Sequence, residues 1–268
     1  MLPRTAWLTV LFNAKNIGMA TRLIFPKAWR EHLKRVPYSV RLVRFLRYLI
    51  DPQQRSIVKL QNNPQSKLLQ PSAVTFLNRY PELFNFARTA LKEVKHPRIL
   101  SYGCSTGEEV FSLKSYFPEG EIKGIDINPY SIRQAGLQLA KLPLPNISFA
   151  LANSPAGEPT EYYDAIFCLA VLRHGALDET LPECCDAYIK FGDVAELVAE
   201  LARCLRPGGL IAIKHSHFRF LDFPVAVQFE AVWAETKRPG AKSLLYGVDD
   251  KILYVPPYYD AVFRKRRD

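Results

Sequence analysis

Residues 98–128 read RILSYGCSTGEEVFSLKSYFPEGEIKGIDIN, and this stretch decides the fold. A short apolar lead runs into a turn of glycine and hydroxyl residues at 103–107, an apolar helical pattern follows, and a second strand is predicted over 122–127. Strand, tight turn, helix and strand, with Asp126 near the end of the second strand, is the arrangement that a nucleotide-like ligand requires. Glycines let the backbone approach such a ligand, a helix N-terminus offers free N–H groups, and a carboxylate accepts hydrogen bonds from ribose hydroxyls.

The turn is an incomplete version of the pattern GxGxxG, because Ser105 and Thr106 stand where glycines are usual. A glycine turn before a helix is also common between ordinary strands and helices. The spacing favours a ligand: Asp126 follows Gly107 by 19 residues, and about 20 residues separate loop and acid in nucleotide-binding units. We therefore expect a nucleotide-like ligand over turn 103–107.

Predicted strands and helices alternate along the chain beyond this stretch. Helices are predicted over 130–142, after Asn128-Pro129, and over 194–205, and strands over 147–151, 163–169 and 210–214. This order predicts an α/β fold with a doubly wound, Rossmann-like, mostly parallel sheet. A helix is also predicted over 73–94, with Thr75 and Arg79 one turn apart, and an antiparallel pair of strands over 251–254 and 259–265.

The positive charge lies at the amino terminus. The chain has 268 residues and a formal net charge of +10; residues 1–60 hold 12 Lys and Arg against 2 acids, and the remainder is balanced. The sequence 38–50 places three arginines on one stripe of a predicted helix between Pro37 and Pro52. We predict a basic helical segment over 1–66 and a catalytic domain over 67–268, with a polar, proline-containing connection at 61–72.

Three interpretations of residues 1–60 stay open at this point. The segment could be a helical cap on the catalytic domain with solvated arginines, or a docking surface for an acidic partner, a peptide or an anionic membrane. An Arg-rich start that is poor in acids also resembles a targeting sequence. A nucleic-acid partner is not expected, because no binding motif accompanies the charge.

Composition excludes several classes of protein. No apolar run approaches the ~18 residues that a membrane span needs. The five cysteines include no CxxC pair and no His/Cys cluster at zinc spacing, so we expect no structural metal. An odd number of cysteines fits a reduced, cytoplasmic protein, with surface membrane association left open by the basic segment.

The motifs resemble, in order, those of class I S-adenosylmethionine-dependent methyltransferases, and more narrowly the chemotaxis-receptor glutamate methyltransferase branch. The first motif is the GCSTGEE core at 103–109, with Ser101 where most class I enzymes carry an acid. The other four motifs are GIDINPYSIRQA (124–135), ISFALANS (147–154), YDAIFCLAVLRH (163–174) and LARCLRPGGLIAI (201–213). The resemblance covers residues 72–215 and implies an S-adenosylmethionine-dependent methyltransferase that releases S-adenosylhomocysteine.

The resemblance also implies roles for single residues. It assigns the methionine part of the cofactor to the turn and to Glu108 or Glu109, and the ribose to Asp126. The adenine is assigned to Ile127 and Asn153, with Cys168 and Leu169 as the floor of the pocket. The full set that it implies for cofactor binding is Thr75, Arg79, Gly103, Cys104, Ser105, Gly107, Glu109, Asp126, Ile127, Asn153, Ser154, Cys168 and Leu169. Arg79 would also lie near the methyl acceptor.

The fourth motif departs from the chemotaxis branch. Leu169, Ala170 and His174 stand where that branch has arginine, asparagine and tyrosine. We therefore expect O- or N-methylation of a small-molecule or peptide acceptor. Two alternatives are methylation of a protein carboxylate, as in the chemotaxis branch, and a non-catalytic, methyltransferase-like docking module.

His174 follows the fourth strand, where a doubly wound sheet opens onto its ligand crevice. Methyl transfer needs an aligned acceptor and, for a hydroxyl or a protonated amine, a base. We predict catalytic roles for His174 and Arg79. The competing interpretation is that His174 shapes the pocket or hydrogen-bonds a loop, and the same two roles are open for His215 and His217.

Overall fold

A computed structural model describes residues 49–72, 74–235, 244–255 and 258–267. The chain divides between Lys59 and Leu60 into two units. The predicted helix within 38–50 lies almost wholly outside the described residues. The predicted domain boundary after residue 66 stays a prediction.

The second unit is built on a seven-stranded sheet with the order β3-β2-β1-β4-β5-β7-β6. Its strands are β1 (Arg98–Tyr102), β2 (Glu121–Asp126), β3 (Ile147–Leu151), β4 (Tyr163–Leu169), β5 (Leu205–Lys214), β6 (Phe229–Ala234) and β7 (Asp260–Lys265). β1 to β5 pair in parallel, and β7 lies antiparallel between β5 and β6. The predicted α/β, mostly parallel, Rossmann-like sheet is confirmed.

Six α-helices are described: α1 (Pro52–Gln61), α2 (Pro81–Ala90), α3 (Glu108–Tyr116), α4 (Pro129–Lys141), α5 (Gly175–Thr180) and α6 (Phe191–Cys204). Prolines occupy the first helical position of α1, α2 and α4, where a missing N–H costs nothing. The side chain of Asn128 caps α4 by accepting from the N–H of Tyr130, which confirms the helix start predicted at Asn128-Pro129. No described helix is long and apolar enough to cross a bilayer.

The sheet separates two apolar layers, as the alternation of a buried parallel strand requires. In β4, Ile166 and Cys168 pack into the layer that holds α6, whereas Phe167 and Leu169 pack into the layer that holds α2 and α3. Gly124 lets turn 103–107 lie close to β2, because a Cβ there would meet side chains of Val110, Cys104 and Phe149 within 3 Å. The turn is thereby fixed against the sheet.

The helix predicted over 73–94 is wrong in its first part. Of its described residues, only Pro81–Ala90 form a helix, and Thr75 and Arg79 lie in the non-helical segment before it. Pro81 disfavours helical backbone at Tyr80, which has φ −132° and ψ 60°, and Asn78 is left-handed at φ 54°. The predicted spacing of one helical turn between Thr75 and Arg79 therefore does not exist.

The prediction that residues 251–254 pair with residues 259–265 is wrong. Residues 260–265 pair with Phe229–Ala234 and with β5, and among the described residues Lys251 and Ile252 make only isolated bridges, to Cys184 and Tyr246. The predicted fifth strand also begins earlier, since β5 includes Arg206-Pro207-Gly208-Gly209. The apolar pattern of β6 is interrupted by Glu230, which hid this strand from sequence patterning.

Candidate functional site: the carboxyl ends of the parallel strands

The turn 103–107 follows β1 and is held by its own backbone. The N–H groups of Gly103 and Cys104 both donate to the carbonyl oxygen of Ile125 in β2, at 2.8 and 3.1 Å, and the N–H of Gly107 donates to Cys104 at 3.0 Å. Gly103 and Gly107 have φ values of +74° and +96°, which only glycine adopts without strain. The side chain of Cys104 is buried in the core, so this residue presents only backbone to a ligand.

Asp126 ends β2 beside this turn. Its two carboxylate oxygens accept the backbone N–H groups of Ser105 and Asn128, both at 2.8 Å. Burial raises the pKa of Asp126, and these two N–H groups act in the opposite direction. Each carboxylate oxygen keeps a lone pair, so the group is fixed in position and can still accept from a ligand hydroxyl.

Glu109 lies in the first turn of α3, above the end of β1. The hydroxyl of Ser101 donates to its carboxylate at 2.7 Å. Burial raises the pKa of Glu109 to about 8, although the Ser101 hydrogen bond and the positive charge of Arg79 both lower it. Ser101 and Glu109 together therefore place a hydrogen-bonded carboxyl group near the end of β1.

Left-handed backbone follows three of the parallel strands at this edge of the sheet. Besides Gly103, the residues Ala170 after β4 and His215 after β5 have φ values of 60° and 54°. Such backbone costs a non-glycine residue about 1–2 kcal/mol, and it is typical of ligand-binding turns. The backbone therefore turns sharply directly after β1, β4 and β5.

The residues predicted to hold adenine take different positions. Ile127 and Ser154 are half-buried, and Asn153 is exposed, with its carbonyl oxygen accepting the Tyr102 hydroxyl at 3.0 Å. Cys168 and Leu169 are 0% and 6% exposed. Their contribution to a ligand would therefore come from backbone atoms.

Arg79 and Thr75 lie in the segment before α2, and Arg79 is close enough to Glu109 to lower the pKa of that residue. The guanidinium of Arg79 donates to the carbonyl oxygen of Val74 at 2.9 Å. It also lies over the rings of Phe76 and Tyr80, 5.6 and 5.2 Å from their centroids. The segment is attached to α3 at Asn78, whose N–H donates to the Ser112 hydroxyl at 2.8 Å. Thr75 is half-buried.

His174 is the N-cap residue of α5, and its ring has structural contacts. Its Nδ1 accepts the N–H of Ala176 at 3.3 Å, and its ring packs on Tyr188 at 5.1 Å between centroids. Burial and the neighbouring His217 lower the pKa of His174. The buried His217 ring lies between the carbonyl oxygens of Leu244 and His174, at 2.8 and 3.2 Å. The hydrogen-bonding interpretation of both histidines thus has direct support, and a catalytic role for His174 stays a prediction.

Sequence reasoning missed Tyr80, the centre of a polar cluster at the ends of β4 and β5. Its side chain is 6% exposed, and its hydroxyl has no hydrogen-bond partner among the described residues. Lys214 Nζ lies 5.1 Å from the ring centroid, and the His215 ring 5.7 Å. The one signal in the sequence was the position of these residues. Tyr80 adjoins Arg79, and Lys214 and His215 lie at the end of the fifth predicted strand and directly after it.

No group of three or more His, Cys, Asp or Glu residues in the described part of the chain is arranged to hold a metal ion. The five cysteines are all free thiols. The groups at the site are backbone amides, two half-buried carboxyl groups and a cluster of cations with a tyrosine.

The family model described as "Methyltransferase domain" matches residues 93–243, which include β1 to β6 and turn 103–107. The chain therefore belongs to this family of S-adenosylmethionine-dependent methyltransferase domains. The sequence prediction of this class is confirmed.

Two curated relatives are trans-aconitate 2-methyltransferases. That of Methylobacterium radiotolerans is 31% identical over 119 residues, 44% of this chain and 38% of the relative. That of Deinococcus radiodurans is 28% identical over 131 residues, 47% and 42% of the two chains. This chain therefore spans less than half the length of these relatives. A solved methyltransferase from Geobacter sulfurreducens, in complex with S-adenosylhomocysteine, is 21% identical over 59% of this chain and 54% of that chain, with a TM-score of 0.37.

The residues at the site fit the cofactor of this class. Ser105 Oγ is buried without a partner among the described residues, beside a carboxylate that is already oriented by two N–H groups. Asp126 would hold the ribose hydroxyls, and Gly103, Ser105 and Glu109 would face the amino-acid part. When bound, the cofactor supplies an electrophilic methyl group on a sulfonium.

Proposed function

We propose that this chain transfers the methyl group of S-adenosylmethionine to an oxygen atom of a small-molecule acceptor. The observation that carries the proposal is the fixed carboxylate of Asp126 beside a turn with a buried, unpartnered Ser105 hydroxyl. These groups form a binding site for ribose and for the polar tail of the cofactor. The family match over 93–243 supports methyl transfer as the reaction.

The relatives give a direction for the acceptor. Two of them act, by name, on trans-aconitate, a small carboxylic acid. A carboxylate is ionised at neutral pH and needs no base before it attacks a methyl group. This agrees with His174, whose Nδ1 already accepts a backbone hydrogen bond. We therefore favour O-methylation over N-methylation, and a pocket-shaping role for His174.

Isothermal titration with S-adenosylhomocysteine tests cofactor binding. Asp126→Asn keeps the side-chain shape and removes the charge, so binding should weaken about 10- to 100-fold, the value of a hydrogen bond to a charged group. Asp164→Asn is the matched control, because Asp164 is another buried carboxylate that accepts a backbone N–H, from Arg98 at 2.6 Å, at the opposite end of the sheet. Failure of the folded wild-type protein to bind at millimolar concentration would refute the proposal.

The second candidate is methylation of a protein carboxylate, as in the chemotaxis-receptor branch. It is favoured by the motif core 103–109 and by Arg79, which lies within reach of the strand ends. The two candidates share carboxylate chemistry and differ in the size of the acceptor. Transfer of a labelled methyl group to free acids, compared with glutamate-containing peptides, distinguishes them.

Two further proposals concern the partner and the location of the protein. We infer from the charge of residues 1–60 an interaction with an acidic partner or an anionic membrane surface, and from the free cysteines of the other residues a cytoplasmic location. Co-sedimentation with anionic vesicles at low and high salt tests the membrane interaction, since a surface attraction is screened by salt. If the chain were only a docking module, Asp126→Asn would leave its cellular phenotype unchanged.

A further inference from the structure

A cluster around the Tyr80 ring is not accounted for by the cofactor site. Three side chains that can contact an anion lie near this ring: Arg79 Cζ at 5.2 Å, Lys214 Nζ at 5.1 Å and the His215 ring at 5.7 Å from its centroid. The Tyr80 ring is packed in the core against Phe84. The cluster is therefore a rigid platform at the end of β5, beside Glu109 of the cofactor site.

The Tyr80 hydroxyl is the clearest sign of a missing ligand. It is buried and has no hydrogen-bond partner among the described residues, and a buried donor that is left unpaired destabilises the folded protein. Arg79, Glu109, Arg173 and Glu235 are its charged neighbours. An anion that pairs with Arg79 and accepts the Tyr80 hydroxyl would satisfy both groups.

The charges around His215 point to an anion. Burial and the cations Lys214, Arg79 and Arg173 together lower the pKa of His215 to about 4, against the single acid Asp178. The imidazole is therefore neutral at pH 7 and can donate one N–H. A net positive potential at this half-buried donor is the electrostatic complement of a carboxylate.

Among these cations, Arg79 has no carboxylate partner in the described part of the chain. Arg173 pairs with Asp178 and Lys214 pairs with Glu235. The described hydrogen bond of Arg79 is made to a backbone carbonyl, on Val74, which leaves other guanidinium N–H groups for a bidentate contact. A guanidinium fork matches the two oxygens of a carboxylate.

We propose that Tyr80, Arg79 and His215 form the acceptor pocket, and that the acceptor is a small molecule bearing at least two carboxylates. This inference rests on the proposed function. One carboxylate is bound by Arg79, the Tyr80 hydroxyl and the His215 N–H. The other is the nucleophile: its oxygen forms the new C–O bond while the C–S bond of the sulfonium breaks, and the electron pair goes to sulfur. No proton is released, and the products are a methyl ester and S-adenosylhomocysteine.

Tyr80→Phe tests the pocket, because it removes the hydroxyl and keeps the ring that contacts Arg79, Lys214 and His215. The probes are four- to six-carbon di- and tricarboxylates, with trans-aconitate among them and its uncharged trimethyl ester as control. They are titrated calorimetrically into the full chain saturated with S-adenosylhomocysteine. We expect Tyr80→Phe to weaken carboxylate binding at least tenfold while the affinity for S-adenosylhomocysteine and the midpoint of urea unfolding are kept or rise.

Tyr246→Phe is the matched control, since Tyr246 is equally buried and its hydroxyl donates to the carbonyl oxygen of Pro182 at 2.9 Å. It should lose stability and bind the probes like the wild type. The proposed pocket is overturned if no carboxylate binds, if the trimethyl ester binds as well as the acid, or if both variants change probe binding equally. Loss of S-adenosylhomocysteine binding by the wild type would instead refute the proposed function.

Discussion

Glu109→Gln should make the cofactor-free protein more stable in alkaline solution. Glu109 is held against the Ser101 hydroxyl, and burial raises its pKa from 4.5 to about 8. The folded protein therefore keeps a proton that the unfolded chain has already lost between these two pH values. Stability falls as pH rises through this window, because the unfolded state binds fewer protons. Glutamine keeps an oxygen for Ser101 and carries no proton to lose.

The size of the effect follows from the shift. Each pKa unit corresponds to about 1.4 kcal/mol, so the full shift corresponds to about 5 kcal/mol as an upper limit. The residue is partly exposed to solvent, which reduces the value to about 2–3 kcal/mol at an effective dielectric near 20. We expect the variant and the wild type to be equally stable at pH 4.5 and to differ by this amount at pH 9.

Urea unfolding at pH 4.5, 7 and 9 measures the difference. Glu108→Gln serves as the control, because it removes a carboxylate from the same helical turn, one that accepts the Thr106 hydroxyl at 2.6 Å. Two results would show that Glu109 is solvated and is not part of a buried site. One is that Glu109→Gln has the same free energy of unfolding as the wild type at pH 9; the other is that Glu108→Gln raises it by the same amount.

Two further substitutions test the strand ends. His174→Asn keeps a side-chain oxygen for the N–H of Ala176, so methyl transfer to a carboxylate should stay within about threefold of wild type in a labelled-methyl assay, whereas loss of a general base would cost about 10²–10⁴-fold. Ala170→Gly relieves a φ of 60° and should raise the free energy of unfolding by about 0.5–1 kcal/mol. The same change at Ala135, which is buried in α4, should lower the free energy of unfolding. Equal losses of stability at both positions would contradict the backbone argument.

The strands of the parallel sheet could be predicted because each is marked by a short stretch of sequence. Each of β1 to β4 is a short apolar run that ends at a glycine, an acid or a polar turn, and β4 reproduces its predicted bounds, Tyr163–Leu169. The pairing of β7 was missed because antiparallel partners at the sheet edge are distant in sequence. β6, which pairs with it, ends 26 residues before β7 begins, and no spacing rule connects them.

The cofactor side of the site was predicted better than the acceptor side for the same reason. Turn 103–107 and Asp126 belong to one strand–helix–strand unit, so their contact follows from the chain path. Tyr80 meets Lys214 and His215 across more than 130 residues. Helical periodicity also assigned Arg79 to a helix that begins only at Pro81, because a single proline overrode an otherwise apolar helical pattern.

The corrected path of residues 74–80 changes how the acceptor side works. On a helix, Thr75 and Arg79 would lie one turn apart on the same face. On the observed segment, the N–H of Asn78 donates to Ser112, while Tyr80 packs against His215 after β5 and Arg79 lies over the Tyr80 ring. Arg79 also lowers the pKa of Glu109, so this one side chain is electrostatically coupled to both halves of the site. An anion that pairs with Arg79 would weaken that coupling, and acceptor binding should therefore raise the pKa of Glu109 in the complex.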